Sequence, residues 1–150
     1  MIKLLNSEDV RKHWKILKEL LIYCREAGSA VVLPDSYYEN KLNALIEYIE
    51  KSKAYFFVVQ DNDSVVGFLW ACEIERDAGR VFHIVHFAVL EEHQSKGYGK
   101  MLIEAAEMQA KRLGIVQLEL NVSALNHKAI GFYKKNSFID EHITMIKRLD

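Results

Sequence analysis

The chain has 150 residues, is 50% hydrophobic by count, and carries 20 basic and 21 acidic side chains, which gives a formal net charge of −1. This composition excludes an intrinsically disordered chain, and the near-zero charge argues against binding nucleic acid through a basic surface. No apolar run approaches the ~18 residues of a membrane span, no leader is recognisable after Met1, and the two cysteines lack a CxxC spacing. We therefore expect one domain, residues 1–150, that works in the cytoplasm without a membrane partner.

The first half of the chain predicts a strand, two helices and a hairpin. The apolar run Ile2–Leu5 predicts the strand, and helical spacing to about residue 25 follows a cap at Ser7. A second helix follows an S-x-x-E capping box at Ser36. Two runs rich in aromatic and β-branched residues, 54–60 and 65–76, flank a polar turn and so predict a hairpin.

The second half alternates strands with helices. It predicts strands at 81–90 and 116–122, helices at 100–113 and 126–136, and one or two strands over 138–149. The fold class that we expect is α/β. Its central sheet is mixed, with an antiparallel N-terminal half and a βαβ-like C-terminal half, and about four helices flank it.

The segment from Phe87 to Lys100 joins a buried strand to a helix through a polar loop with two glycines. At such a junction the first backbone N–H groups of the helix have no partner within the helix, and the helix dipole adds partial positive charge. The segment therefore predicts an anion site that suits phosphate. Gly97 and Gly99 are expected to let the backbone approach the ligand.

Two well-known phosphate-binding loops fit this segment poorly. A P-loop would need Gly where Gln94 stands and Ser or Thr where Met101 stands. A dinucleotide fingerprint would need a third glycine where Leu102 stands. It also expects an acidic residue at the end of the next strand, and Glu119 lies inside its predicted strand.

A third pattern, Q/R-x-x-G-x-G/A after an apolar strand, matches Gln94-x-x-Gly97-x-Gly99 at every position. Here the chain resembles the GNAT superfamily of acetyl-CoA-dependent N-acetyltransferases. Residues 126–138 resemble the second signature of that superfamily, N-x-x-A-x-x-F-Y-x-x-x-G-F. They depart from it at Ser137, where the family usually has glycine, and we expect Asn136 to take the left-handed backbone position instead.

The resemblance implies a cleft in which the pantetheine of acetyl-CoA pairs with strand backbone. The strand residues that would contact pantetheine and the acetyl carbonyl are Phe87, Ala88 and Val89. The backbone that would hold the pyrophosphate belongs to Gln94, Ser95, Lys96, Gly97, Tyr98, Gly99 and Lys100. Asn126 would contact the cofactor arm.

The resemblance also implies two catalytic residues. Tyr133 would lie near the thioester sulfur and protonate the leaving thiolate. His83 stands eleven residues before Gln94, where the family often places a glutamate, and is the candidate general base. The other candidates are a water molecule and a set of nearby side chains: Glu73, Glu75, His86 and Glu92. His83 is alternatively a hydrogen-bonded strand residue without a catalytic role.

The sequence offers no metal-ligand set. His83 and His86 are separated by an odd number of positions, which would place them on opposite faces of a strand, and His93 lies in the expected phosphate loop. We therefore expect no metal site.

These observations predict an N-acetyltransferase that transfers an acetyl group from acetyl-CoA to a primary amine of a small molecule or peptide, by direct attack in a ternary complex. The alternatives are a non-catalytic acyl-CoA-binding or interaction module on the same fold and a nucleotide-binding domain. Acidic and tyrosine side chains before and within the second helix would attract a cationic amine or form a solvated helix start: Glu26, Asp35, Tyr37, Tyr38 and Glu39. A homodimer is expected through the apolar C-terminal strand, at Ile143, Met145 and Ile146.

Overall fold

A computed structural model describes all 150 residues and contains one five-stranded sheet in the order β1-β2-β3-β4-β5. Neighbouring strands are antiparallel from β1 to β4, and β4 and β5 are parallel. The strands are β1 (Ile2–Leu5), β2 (Ala54–Asp61), β3 (Ser64–Arg76), β4 (Gly79–Val89) and β5 (Leu118–Leu120). The predicted mixed sheet is thus confirmed.

Five helices accompany the sheet, one more than expected. They are α1 (Ser7–Lys12), α2 (Trp14–Glu26), α3 (Asp35–Glu50), α4 (Tyr98–Arg112) and α5 (His127–Lys135). The single helix predicted near the N-terminus is divided at His13, whose backbone is not helical. No helix is both long enough and apolar enough to cross a membrane.

The two predicted helix caps were wrong. Asn6, not Ser7, caps α1: its side chain accepts from the Asp9 N–H at 2.8 Å, and the Asp9 carboxylate accepts from the Asn6 N–H at 3.2 Å. This reciprocal pair closes a capping box one residue earlier than expected. In α3 the Ser36 box does not form, because the helix already begins at Asp35 after Pro34, whose fixed φ favours a helix start.

Helices cover both faces of the sheet. The first apolar cluster, which includes Phe56 and Phe68, packs under α1, α2 and α3, and the second, which includes Phe82, packs under α4. Burial of these aromatic rings supplies the largest apolar area per side chain in the core. β4 therefore has helices on both of its faces.

A bulge in β4 changes the faces on which its histidines lie. Trp70 pairs with His86 and Cys72 pairs with His83, so that Val85 is the extra residue. Trp70 and Cys72 are two apart on β3 and share a face. His83 and His86 therefore lie on the same face, toward α2 and α3, and the expectation of opposite faces was wrong.

The C-terminal segment forms no strand. Residues 139–150 have no regular structure, and Ile143, Met145 and Ile146 are 84%, 89% and 76% exposed. The strands predicted at 138–149 were wrong, because alternating apolar residues favour an extended backbone but do not by themselves pair with a sheet edge. β5 is likewise shorter than predicted, and its outer edge pairs with no strand.

Candidate active site

The loop between β4 and α4 presents a row of free backbone donors. Left-handed backbone at Ser95 (φ +63°) and Gly97 (φ +86°) turns the chain into α4. The backbone N–H groups of residues 95–100 donate to no acceptor in the protein. Six consecutive free N–H groups at the positive end of a 15-residue helix form a cradle for an anion.

The two glycines of the loop have different roles. A Cβ on Gly97 would meet no atom within 4 Å, so this residue is glycine because of its positive φ. A Cβ on Gly99 would lie 2.9 Å from Phe132 Cζ and 3.2 Å from Phe87 Cζ. Gly99 therefore makes room for the stacked rings of Phe87 and Phe132, whose centroids are 5.5 Å apart.

The Gln94 side chain hydrogen-bonds to both β4 and α5. Its amide nitrogen donates to the Val89 carbonyl at 2.9 Å, and its amide oxygen accepts from Lys128 Nζ at 2.5 Å. Lys128 on α5 thus brings a positive charge to the free N–H groups. Sequence reasoning missed Lys128, because the contact spans 34 residues and no local pattern marks it.

β4 and β5 separate after a short pairing. Their register runs only from Phe82↔Leu118 to Ile84↔Leu120. Beyond Ile84, β4 is paired with β3 on one side alone, which leaves the opposite backbone edge of Phe87–Val89 open. An extended ligand can add to such an edge as a further strand does.

Asn126 begins α5 across this gap. Its side-chain oxygen accepts from the Ala129 N–H at 3.2 Å and caps the helix. Its amide N–H groups donate to no acceptor in the protein and remain available to a ligand. The predicted cofactor contact by Asn126 is therefore compatible with its structural role.

Tyr133 lies beside Phe87, at the open edge of β4. Its ring is 6.0 Å from that of Phe87 and 5.5 Å from that of Phe138. Burial raises the pKa of Tyr133 to about 12, and the nearby Cys24 adds to the shift. The hydroxyl donates to no acceptor in the protein, so it is a protonated phenol available to a ligand.

The Cys24 thiol lies beside the same strand. Its Sγ donates to the Phe87 carbonyl at 3.6 Å, and burial raises the pKa of the thiol. Both Cys24 and Cys72 are free and partly buried. A buried, protonated thiol is a poor nucleophile.

His83 is held by a carboxylate of the next strand. Its Nδ1 lies 2.9 Å from Glu119 Oε1, and Glu119 also binds Arg76. The Arg76 guanidinium, with a smaller contribution from His83, lowers the pKa of Glu119. A carboxylate at Nδ1 places the imidazole proton there and leaves Nε2 as the acceptor. The sequence had marked Glu119 only as a poor match to a dinucleotide motif.

The other candidates for a base are less suitable. Glu73 is engaged on the opposite face, where it accepts from Tyr55 at 2.9 Å and from Arg80 at 2.7 Å. Burial, Lys41 and Arg25 together lower the pKa of His86 to about 4. Glu75 and Glu92 are exposed. No three His, Cys, Asp or Glu side chains are grouped so as to hold a metal ion.

Comparison with known proteins assigns this arrangement to a class. The sequence model of the Acetyltransferase (GNAT) family matches residues 14–138. A match over so much of the chain, on a fold with the expected sheet and loop, defines an acetyltransferase fold. The chain belongs to the GNAT acetyltransferase family.

Individual relatives agree with this assignment. "Uncharacterized N-acetyltransferase YycN" of Bacillus subtilis (strain 168) is 34% identical over 86 residues, which are 57% of this chain but only 54% of that protein. An N-alpha-acetyltransferase of Saccharolobus solfataricus is 29% identical over 72% of this chain and 68% of its own. The structure of AAC(6')-Iy with a bisubstrate analog, CoA-S-monomethyl-acetylneamine, superposes with a TM-score of 0.80 at 15% identity, covering 100% of this chain and 97% of that chain. At that identity the likeness concerns the fold.

Proposed function

We propose that this protein is an acetyl-CoA-dependent N-acetyltransferase whose catalytic domain is formed by residues 1–150. The observation that carries the proposal is the row of six free N–H groups at residues 95–100 beside an open edge of β4. The acceptor is a primary amine of a small molecule or peptide. Membership of the GNAT family and the N-acetyltransferase names of its relatives support this reaction class.

The residues of the cleft fit acetyl-CoA. The N–H groups of residues 95–100 and the Lys128 ammonium, which lies on Gln94, suit a pyrophosphate. The open edge of Phe87–Val89 suits the amide groups of pantetheine, and the unpaired amide N–H groups of Asn126 offer a further donor. These free donors support the assignment of the cofactor to this cleft.

Acetyl-CoA supplies an acyl carbon that is activated by a thiolate leaving group. The Tyr133 hydroxyl, protonated because of its raised pKa, donates its proton to the departing sulfur. His83 Nε2 takes a proton from the attacking amine, directly or through water, and Glu119 holds the ring in that tautomer. One proton enters at His83 and one leaves at Tyr133, so solvent exchange restores both groups after each turnover.

Direct attack by the amine is favoured over a covalent acetyl-cysteine. Cys24 is the one thiol beside Phe87, and its raised pKa keeps it protonated. The acceptor of its Sγ–H is the Phe87 carbonyl, and not a histidine or carboxylate that could act as a base. Without a base at hydrogen-bond distance the thiol is not activated.

We also propose a homodimer in the reducing environment of the cytoplasm. The exposed apolar residues Ile143, Met145 and Ile146 and the open edge of β5 are two surfaces that a second copy would cover. Light scattering on the full chain and on an Ile143→Lys, Ile146→Lys variant tests this. A dimeric mass for the first and a monomeric mass for the second is expected, and a monomer in both would refute it.

The first test of the function is a thermal-shift titration with CoA and acetyl-CoA, with ATP and NAD as controls. A ligand that binds only the folded chain at 100 times its Kd adds about 2.7 kcal/mol to stability. We expect a rise in Tm with both CoA species and CoA release when amines are added. Stabilisation without acetylation of any amine would instead indicate a non-catalytic acyl-CoA-binding module, and stabilisation by ATP or NAD alone a nucleotide-binding domain.

A further inference from the structure

A small pocket on the α2 and α3 side of β4 is lined almost entirely by basic and aromatic side chains. We call it the basic pocket, and its lining residues are Leu21, Arg25, Tyr37, Tyr38, Lys41 and His86. None of the six is acidic. Asp35 and Glu39, two of the acidic residues expected to attract a cation, do not line the pocket. They form ion pairs with Lys18 instead, at 3.2 and 3.5 Å.

The two cations of the basic pocket have no counter-charge. Arg25 and Lys41 take part in no ion pair. Both lie on the same ring, with Arg25 Cζ 5.4 Å and Lys41 Nζ 5.2 Å from the Tyr37 centroid. A ring quadrupole stabilises a cation only weakly. Two like charges held on one ring are a ready site for an anion.

Two buried nitrogen atoms in the same pocket lack partners. Arg25 Nε and His86 Nε2 are buried and make no hydrogen bond. Buried polar atoms are normally hydrogen-bonded, so these two nitrogens are available to a ligand. An N–H on Arg25 and an N–H on the His86 ring would bind two oxygens of one small planar anion.

The basic pocket adjoins the place where the acetyl group would lie. Arg25 follows Cys24 on α2, and His86 precedes Phe87 on β4. Cys24 and Phe87 are in contact through the 3.6 Å hydrogen bond between thiol and carbonyl. Since adjacent Cα atoms are about 3.8 Å apart, Arg25 and His86 lie next to the two residues of that contact.

We infer that the basic pocket binds a carboxylate of the acceptor, so that the amine acetylated by this protein carries a carboxylate a few bonds away. This inference rests on the proposed function and narrows its acceptor to amino acids and similarly built amino acid-like compounds. An unsubstituted polyamine is disfavoured, because Arg25 and Lys41 repel a second ammonium group.

Matched pairs of amines test the inference. L-Lysine is compared with cadaverine and γ-aminobutyrate with butylamine, and phosphoethanolamine provides a phosphate in place of the carboxylate. We expect kcat/KM to be at least about tenfold higher for the carboxylate member of a pair, the effect of one charge-assisted hydrogen bond. A higher value for phosphoethanolamine than for γ-aminobutyrate would overturn the carboxylate assignment.

Variants of the lining residues test whether the preference for amines with a carboxylate depends on the basic pocket. Arg25→Gln and Lys41→Gln are expected to remove most of the preference while the KM for acetyl-CoA stays within about twofold, and Lys41→Arg is expected to keep it. The matched control is Lys15→Gln, because Lys15 is an exposed lysine of α2 without an ion pair. Thermal stabilisation by CoA shows that each variant is folded and loaded. CoA binding with equal acetylation of both members of each pair would overturn the inference alone. Absence of CoA binding, or CoA binding without acetylation of any amine, would remove the proposed function.

Discussion

Gly99 lies directly against the ring of Phe132, so closely that a Cβ on the glycine would be 2.9 Å from Phe132 Cζ. Because Phe132 stacks on Phe87, a methyl group here displaces both rings that flank the cleft. We expect Gly99→Ala to lower the free energy of unfolding by about 1–3 kcal/mol, the usual cost of overpacking. Urea denaturation measures this directly.

Gly97→Ala is the control for that variant. Its Cβ would meet no atom within 4 Å, and the strain comes from its φ of +86°. A left-handed non-glycine residue costs roughly 1–2 kcal/mol. Adding Phe132→Leu should recover stability in Gly99→Ala and not in Gly97→Ala. Equal recovery in both would show that the ring contact is not the cause.

Tyr133→Phe removes the proposed proton donor while keeping the ring that packs between Phe87 and Phe138. We expect kcat to fall by about 100-fold or more, the usual contribution of general acid catalysis, with the Kd of acetyl-CoA little changed. Steady-state kinetics and calorimetry separate the two effects. Tyr55→Phe is the matched control, because the pKa of Tyr55 is also raised to about 12 but its hydroxyl donates to Glu73 on β3. An unchanged kcat in Tyr133→Phe would remove the general-acid role.

Glu119→Gln tests the pair formed by His83 and Glu119. The amide keeps the shape but no longer fixes the His83 tautomer, so we expect kcat to fall at least about tenfold, and His83→Gln to lower it further. The double variant should be no slower than His83→Gln, since residues that act as a unit are not additive. Glu73→Gln, which disturbs a comparable arginine-bound carboxylate outside the cleft, should leave kcat unchanged. Additive losses in the double variant would separate Glu119 from His83.

Alkaline pH should destabilise the fold over a defined range. The pKa of Tyr55 and that of Tyr133 are both raised to about 12, whereas an unfolded tyrosine ionises near pH ~10. Their contribution to stability is therefore fully present below pH ~10 and is lost as the pH rises toward 12. Urea unfolding at a series of pH values should show a shallower loss in Tyr133→Phe than in the unchanged chain. Parallel curves for the two proteins would contradict this.

Ser137 offers a stabilising substitution. It adopts φ +68°, whereas Asn136 stays at φ −99° and donates from its amide to the Phe132 carbonyl at 2.9 Å. Asn136 was wrongly expected to take the left-handed position. Ser137→Gly should raise the free energy of unfolding by roughly 0.5–1 kcal/mol, the strain relieved less the entropy added to the unfolded chain. A lowered Tm would show that the Ser137 side chain makes a compensating contribution.

Sequence reasoning performed best where a local pattern and its structural requirement coincide. The β2–β3 hairpin, the polar turn before Ser64 and the glycine loop before α4 each depend on residues close together in the chain. The turn itself has positive φ at Asn62 and Asp63, which is the backbone of a two-residue hairpin and the reason for its polar residues. Asn126 likewise caps α5 as its place in the motif suggests.

The rest depends on contacts that no local pattern encodes. Lys128 reaches Gln94 across 34 residues and His83 reaches Glu119 across 36, so neither pair could be found from spacing. The break at His13 is marked by no helix-breaking residue, so helical spacing alone did not reveal it. The C-terminal residues have a strand's alternation but no edge that they pair with, and propensity alone does not form a sheet.

The extra residue at Val85 also changes the parity of β4. Before it, every second side chain belongs to one layer of the protein; after it, the same alternation continues out of phase by one position. The alternation of side chains in the half of β4 that carries His83 is therefore out of phase with that in the half that carries Phe87. Each half can present its side chains to a different ligand. Deleting this one residue would leave the strand intact but move the side chains beyond it to the opposite faces of the sheet. The single extra residue therefore sets which side chains of β4 face the cleft.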